Sequence, residues 1–242
     1  MKLLIKRFDG EKEFTQEYKI EVKEDETILE VLDKLRNKDR SLTYRSFCRS
    51  SICGTCAIRV NGQSVLACKE KLSKFGDEVV IEPLKNTKVL RDLVVDHSYL
   101  EKSIKELENW FVDEIDENME NLQSPGLLKL YDKQTDCIMC MACYSECEAL
   151  DYDKNFAGPF AFTKTYRFVY DSRDKRDTQE RIELAKDKSL YSCVSCQKCF
   201  MVCPKGISSM NDIKMLQTKD KNPPFSESFG ANMGGVDFNG FF

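Results

Sequence analysis

Cys137-Ile-Met-Cys140-Met-Ala-Cys143-Tyr-Ser-Glu-Cys147 and Cys193-Val-Ser-Cys196-Gln-Lys-Cys199-Phe-Met-Val-Cys203-Pro204 decide the reading of this 242-residue chain. Both runs have the spacing C-x2-C-x2-C-x3-C. In bacterial ferredoxins that run holds cubane iron–sulfur clusters, and the last cysteine of each run ligates the cluster of the other. Three thiolates two residues apart can wrap three corners of a cube, while the fourth leaves along a helix toward the second cube. Pro204 fixes φ and removes a backbone donor, which turns the chain away from the cluster. The spacing therefore assigns Cys137, Cys140, Cys143 and Cys203 to one cluster, and Cys147, Cys193, Cys196 and Cys199 to another. Paired C-x2-C elements also suit tetrahedral zinc. A zinc site, however, does not call for two matched runs with crossed ligands. A disulfide framework fits less well, because the chain is far larger than a mini-protein and the thiols are too close in sequence to pair.

A third cysteine set lies upstream: Cys48-Arg-Ser-Ser-Ile-Cys53-Gly-Thr-Cys56, then Cys68. This is C-x4-C-x2-C with a distant fourth cysteine, the plant-type [2Fe–2S] spacing. A loop must curl around a small cluster and present three thiolates and several amide N–H groups. Gly54 can take positive φ there and let the backbone approach closely.

The elements around this loop form a consistent order. Residues 1–22 read as two strands, with Leu3 and Ile5 in the first and Phe14, Tyr18, Ile20 and Val22 alternating with polar residues in the second. Asp9-Gly10 turns between them. Thr27-x-x-Glu30 is a capping box before the apolar stripe Ile28, Val31, Leu32 and Leu35. Ala57–Val60 and Gln63–Cys68 read as a hairpin on Asn61-Gly62, and Glu78–Glu82 as a last strand. Strand, strand, helix, loop, hairpin, strand is the order of a β-grasp ferredoxin. From Tyr99 to about Leu122 the pattern becomes helical, with Leu100, Ile104, Leu107, Phe111 and Ile115 on one stripe, before Ser124-Pro125-Gly126 breaks it. Asp177-x-x-Glu180 caps a further helix. The expected class is α+β. It comprises a β-grasp plant-type ferredoxin domain over residues 1–97 and an all-α bacterial-ferredoxin-like domain over 98–218. Residues 219–242 form a Pro-, Ser-, Gly- and Phe-rich tail, either disordered or partner-docking. His97 is the only histidine and carries no expected role.

Bulk composition narrows the function classes. Charged residues are 32%, hydrophobic residues 41% and the net charge is -4, which gives no argument for nucleic acid. No apolar run reaches the roughly 18 residues of a membrane span. Met1-Lys-Leu-Leu-Ile-Lys-Arg7 turns charged too soon for a signal peptide, so a reducing compartment is expected. No acid–base pair, phosphate loop or nucleophile constellation is evident.

The chain resembles the iron–sulfur subunits of succinate dehydrogenase and fumarate reductase over roughly residues 1–217. The resemblance rests on Ser46-Phe-Cys-Arg-x-x-Ile-Cys53-Gly-x-Cys56, Val89-Leu-Arg-Asp-Leu-Val-Val-Asp96, Tyr166-Arg-Phe168, Asp171-Ser-Arg-Asp174, Ser189-Leu-Tyr-x-Cys193 and Cys203-Pro-Lys-Gly206, in that order. It implies an electron wire between the FAD of a separate flavoprotein subunit and a membrane quinone pool or anchor subunit. The wire has one [2Fe–2S], one [4Fe–4S] and a third cluster. It also implies a peripheral place on the cytoplasmic side of the cell membrane, reached through partners. An alternative is an electron-transfer subunit of a heterodisulfide-reductase-like or glycolate-oxidase-like complex, though the N-terminal [2Fe–2S] domain tilts away from it. A free ferredoxin-like carrier is a second alternative.

The sequence departs from the family in three places. Most members hold a [3Fe–4S] third cluster and have no cysteine at the position of Cys196, so a fourth ligand is available here. Glu148 stands where the family has Pro. The quinone-facing Pro-Ser-x-Trp-Trp and a histidine are replaced by Glu148-Ala-Leu-Asp-Tyr152 and Val194. The expected anchor is therefore unlike the usual haem-bearing pair, for example one of heterodisulfide-reductase type, with any quinone bound mainly by that partner. Asp151 and Tyr152 are the residues on this chain that could substitute.

Overall fold

Leu3 and Ile5 lie fully buried in the middle strand pair of a mixed five-stranded sheet, in a computed structural model that describes residues 1–113, 118 and 120–224. Strand β1 (Lys2–Phe8) pairs antiparallel with β2 (Glu13–Lys19) and parallel with β5 (Glu78–Glu82), so that Leu3 faces Val79 and Ile5 faces Ile81 across the parallel ladder. The hairpin β3 (Ala57–Val60) and β4 (Gln63–Leu66) completes the order β2-β1-β5-β3-β4. Its tight turn needs two positive φ angles, and Asn61 at 47° and Gly62 at 81° supply them. Helix α1 (Ile28–Lys38) covers one face with Ile28, Val31, Leu32 and Leu35. Its capping box is reciprocal: Glu30 N–H donates to Thr27 Oγ1, and Thr27 N–H donates to Glu30 Oε2 at 2.8 Å.

A buried ionic node locks this sheet to the ribbon beyond it. Arg7 is 5% exposed and Asp92 1%. Arg7 Nε and Nη2 donate to both Asp92 oxygens at 3.0 and 3.1 Å, and Nη1 donates to Asp39 at 2.9 Å. Asp92 sits in the turn of that two-stranded ribbon, β6 (Val89–Arg91) and β7 (Val94–Val95), and also accepts from Thr43 N–H at 2.7 Å. A bidentate guanidinium–carboxylate pair of this kind fixes orientation as well as contact.

From Ser98 onward the described elements are helices and a short 3-10 turn at Leu190–Ser192: α2 (Ser98–Glu106), α3 (Pro125–Leu128), α4 (Asp132–Thr135), α5 (Ala142–Ser145), α6 (Ala149–Tyr152), α7 (Pro159–Tyr170), α8 (Thr178–Asp187), α9 (Lys198–Met201) and α10 (Ser209–Lys219). The helix expected from Tyr99 to about Leu122 is much shorter. It ends at Glu106, and Glu108 takes a φ of 47°. Tertiary bonds override the periodicity. Asn109 Nδ2 donates to Ala161 O at 3.0 Å, Thr165 donates to Asn109 Oδ1 at 2.9 Å, and Arg181 donates to the carbonyls of Glu108 and Trp110. Ile115 lies outside the described residues, as does the tail from residue 225. Ser124-Pro125 starts α3 as cap and first residue, with Leu127 N–H donating to Ser124 Oγ. No pattern in the sequence announces helices α7 and α10. Helix α7 buries residues on nearly every side, so it carries no amphipathic stripe to read. Asp177 caps α8 as expected, accepting from Gln179 and Glu180 N–H.

Replacing Arg7 by Met leaves Asp92 buried without its cation. The expected loss is about 3–5 kcal/mol in denaturant unfolding of the full chain. The double variant Arg7→Met/Asp92→Leu is expected to recover part of it. An unchanged midpoint in the single variant would remove the node from the stability of the fold.

Candidate metal centres

All twelve cysteines are free thiols, and the fold gathers them into three sets of four. Two sets surround small cavities. One is walled by Cys137, Cys140, Cys143 and Cys203 together with Phe160, Thr163 and Ser209. The other is walled by Cys147, Cys193, Cys196 and Cys199 with Phe156, Met210 and Ile213. In each, the last cysteine of one run joins three from the other.

The two runs are folded alike. In the first, Met139 and Met141 adopt left-handed φ angles of 50° and 62°; in the second, Ser195 and Gln197 adopt 57° and 64° at the matching positions. Each second residue of these pairs opens a one-turn helix, α5 or α9. Side chains with a Cβ resist this region by about 1–2 kcal/mol each. Four such residues at equivalent places mark a backbone held for a purpose other than stability.

Three of the third set, Cys48, Cys53 and Cys56, sit on the loop between α1 and β3, and Cys68 follows β4. Arg49, Ser51 and Gly54 take φ angles of 56°, 58° and 73°, which curls the loop and turns its amides inward. The N–H groups of Ser50, Ile52 and Cys53 donate to Cys48 Sγ at 3.4, 3.4 and 3.3 Å, and Ser51 N–H donates to Cys68 Sγ at 3.3 Å. These amides pull the Cys48 thiol down to about 6. Burial acts the other way deeper in the protein, pushing Cys140 and Cys199 up to about 11 and Cys147 up to about 12. Buried thiols of that kind ionise when a metal supplies the compensating charge.

The donor chemistry fits iron–sulfur clusters. Thiols ring two small cavities, and amide N–H groups lie near sulfur at Cys48, Cys68 and Cys203, as a polynuclear cluster requires.

The centres are contiguous. A Cβ on Gly54 would lie 2.8 Å from Cys140 Cβ and 3.1 Å from Ile138 O, so the upstream loop rests directly on the first run. Glu146, next to Cys147, clasps the sheet from the other side: Arg59 Nε donates to its Oε1 at 2.9 Å and Ser64 Oγ at 2.6 Å. Asn86 and the Lys85 amide bond to the backbone and hydroxyl of the same turn. Glu148, which replaces the expected proline, pairs with Lys198 at 2.6 Å beside Cys196. These contacts join residues far apart in sequence, so no local signal announces them. His97 is half-buried, 2.9 Å from Arg45 Nη1 through its Nδ1.

A family model described as a 2Fe-2S iron-sulfur cluster binding domain matches residues 2–102, and one described as a 4Fe-4S dicluster domain matches residues 133–207. The chain is 36% identical over 230 residues to the 8-methylmenaquinol:fumarate reductase iron-sulfur subunit of Wolinella succinogenes, covering 90% of this chain and 72% of that protein. It is 31% identical over 227 residues to the succinate dehydrogenase iron-sulfur subunit of Coxiella burnetii, covering 90% and 96%. Its fold matches a chain of the Mycobacterium smegmatis Sdh1 complex in the apo form, with a TM-score of 0.79, 24% identity and coverage of 92% and 98%.

Fold and cysteine sets thus define an iron–sulfur electron-transfer protein with a [2Fe–2S] domain and a [4Fe–4S] dicluster domain. The chain belongs to the family of succinate dehydrogenase and fumarate reductase iron–sulfur subunits, and its work is electron transfer within such an oxidoreductase complex. That complex brings a flavoprotein and a membrane anchor as partners. No helix among the described residues is long and apolar enough to cross a membrane.

The close approach at Gly54 is testable. Gly54→Ala is expected to lower iron content and the thermal midpoint well below those of Gly62→Ala. Gly62 has a similar φ of 81° but nothing nearer than 3.9 Å, so it bears only the backbone strain. Equal effects at the two glycines would mean the loop does not bear on Cys140.

Proposed function

We propose that Cys48, Cys53, Cys56 and Cys68 hold the [2Fe–2S] cluster and that Cys137, Cys140, Cys143 and Cys203 hold a [4Fe–4S] cluster. Cys147, Cys193, Cys196 and Cys199 hold a second [4Fe–4S] cluster in place of a [3Fe–4S]. The observation that carries this reading is the grouping of the cysteines by cavity, with Cys196 on the same wall as the other three. Each cluster, when bound, accepts and returns one electron with no bond to a substrate made or broken. This chain's residues bind the clusters by thiolate, tune them by amide N–H and burial, and keep them in series. Gly54 against Cys140 sets the first junction. Cys199, close enough to raise the proton affinity of Cys143, supports the second. The proposed division is a β-grasp domain over 1–97, a helical domain over 98–218 and a tail from 219; the last strand at Val95 supports the first boundary, while α10 runs one residue past the second, through Lys219.

In this reading electrons pass between the FAD of the flavoprotein, the [2Fe–2S], the middle and the third centres, and a membrane anchor. The subunit lies peripherally on the cytoplasmic side of the membrane. Near the third centre, Val194 is 51% and Tyr152 84% exposed, beside exposed Phe200 and Met201. Val194 has no proton to give, and Asp151 is held by Lys85 at 3.0 Å, which keeps its carboxyl below the usual range. A quinone carbonyl needs a donor. Of the two residues on this chain that could substitute, Tyr152 keeps an exposed hydroxyl able to donate; this reading assigns the main donor to the anchor, and a menaquinone-type acceptor suits a third centre with four cysteines. The Wolinella relative is itself named for 8-methylmenaquinol.

Cys196→Ser is expected to reduce iron from about ten to about nine atoms per chain. The oxidised variant should gain an EPR signal near the free-electron g value. A strong signal of that kind in the unaltered, fully loaded chain would make Cys196 a bystander. In the assembled complex, substituting Val194, Asp151 and Tyr152 together should leave quinone-linked turnover little changed. Loss of that turnover with flavin-to-cluster transfer intact would place the exit on this chain.

A further inference from the structure

Among the described residues no cation pairs with the buried carboxylic acid of Asp212. It lies on α10, 3% exposed, and both oxygens are taken by neutral groups: Gln134 Nε2 donates to Oδ1 at 2.7 Å and Thr163 Oγ1 to Oδ2 at 2.7 Å. Thr163 also bonds Ser209 Oγ at 2.9 Å. Thr163 and Ser209 are wall residues of the cavity ringed by Cys137, Cys140, Cys143 and Cys203. One layer of hydroxyls therefore separates the carboxyl from that centre. Half-buried Gln134 stands on its other side, between it and water.

The charged groups on the surrounding elements face other partners, with Arg167 on α7 lying over the Tyr131 and Phe168 rings. On α7, Lys164 donates to Cys137 O at 3.1 Å and Tyr166 to Leu130 O at 3.0 Å. On α8, Arg181 is held by Asp174; on α9, Lys198 by Glu148; next to α4, Asp136 by Lys133. In the 3-10 turn at Leu190–Ser192, Tyr191 donates to Asp220. Burial pushes the Asp212 carboxyl up to about 6, against the pull of its bonds from Thr163 and Gln134.

We propose that Asp212 is the redox-linked proton site of the middle centre, taking up a proton from solvent when the Cys137/Cys140/Cys143/Cys203 centre gains an electron and releasing it on oxidation. The inference rests on the cysteine assignment above. An added negative charge one layer away, in a poorly solvated interior, favours the protonated acid. The balance is one electron from the adjacent carrier and up to one proton from water onto the carboxylate. No covalent bond other than O–H forms. By linkage, the proton stabilises the reduced state as strongly as the electron stabilises the protonated acid.

The test is a redox titration of the cluster-loaded chain, followed by EPR at a series of pH values across roughly pH 5 to 8. The potential of the middle centre is expected to be flat at the acid end. Between the carboxyl's titration in the oxidised chain and its higher titration in the reduced chain it should fall, with a limiting slope of tenfold in electron affinity, about 59 mV, per pH unit, and level off above the second. Asp212→Asn keeps an acceptor for Gln134 and a donor toward Thr163 while mimicking the protonated acid. It should hold the potential near the acid limit at every pH, with the [2Fe–2S] centre unchanged. Gln134→Leu, which removes a bond that stabilises the carboxylate, should move the sloping window to higher pH. A flat profile in the unaltered chain, a slope that survives Asp212→Asn, or an unmoved window in Gln134→Leu each overturns the proposal. Cys137→Ser separates failure of the assignment: it should perturb the spectrum of this centre alone, and if it does not, the ligand set rather than Asp212 is wrong.

Discussion

Where Gly54 would carry a Cβ, the Cβ of Cys140 already stands 2.8 Å away. Much of the molecule is arranged to keep that contact. An electron carrier with several centres must hold them close, because transfer falls steeply with distance, and yet shield them from water. The loop around Cys48 cannot reach the four-cysteine runs unless the sheet beneath it is fixed to the helices beyond. The Arg7–Asp92 node ties β1 to the ribbon of β6 and β7, which leads into α2. Glu146 then ties the helical part back to β3 and β4 through Arg59 and Ser64. The two clasps approach the Gly54 contact from different sides, and neither adds chemistry of its own.

The gathering of Cys137, Cys140, Cys143 and Cys203 about one cavity, and of Cys147, Cys193, Cys196 and Cys199 about another, was legible in the sequence because each run has a short, rigid spacing. The strands and the capped α1 were legible for the same local reason: period two, an Asn-Gly turn and a reciprocal cap are all decided within about ten residues. The stripe from Leu100 to Ile115 misled because its helical period is real through Glu106 but yields to bonds from Asn109, Thr165 and Arg181. Those partners lie more than 50 residues away. Helix α7 went unread for a different reason: its buried residues run almost without a break from Pro159 to Phe168, interrupted only at Lys164 and Arg167, so no turn-like pattern marks its ends or its face. The interdomain clasps, Glu148 beside Cys196 and the Asp212 network share this limit. Each pairs side chains whose meeting is a property of the finished fold.

The three centres occupy different environments, and the differences follow from which backbone atoms reach sulfur. At Cys48 three amide donors draw the thiol toward its anion in a loop open to solvent. In the two helical centres burial dominates and the thiols prefer to stay neutral. Amide donors favour the more reduced, more negative state of a cluster, whereas burial opposes added charge. The fold can therefore set three potentials with the same ligand type, without altering a single cysteine.

The last centre differs again, because Cys196 is the exposed member of the twelve cysteines. A cluster corner held by an exposed thiolate is in contact with whatever covers it. Glu148 and Lys198 form an ion pair at that corner. A surface ion pair is worth little to stability on its own. Covered by a partner, the same pair would have to be desolvated or re-paired, which makes it selective: an anchor that offers no polar partner is penalised, and one that does is preferred. The replacement of the aromatic segment and the added cysteine then belong together. On the proposed assignment, the cysteine closes the cluster at the corner beside the charged pair, and the pair would restrict which anchor can meet it.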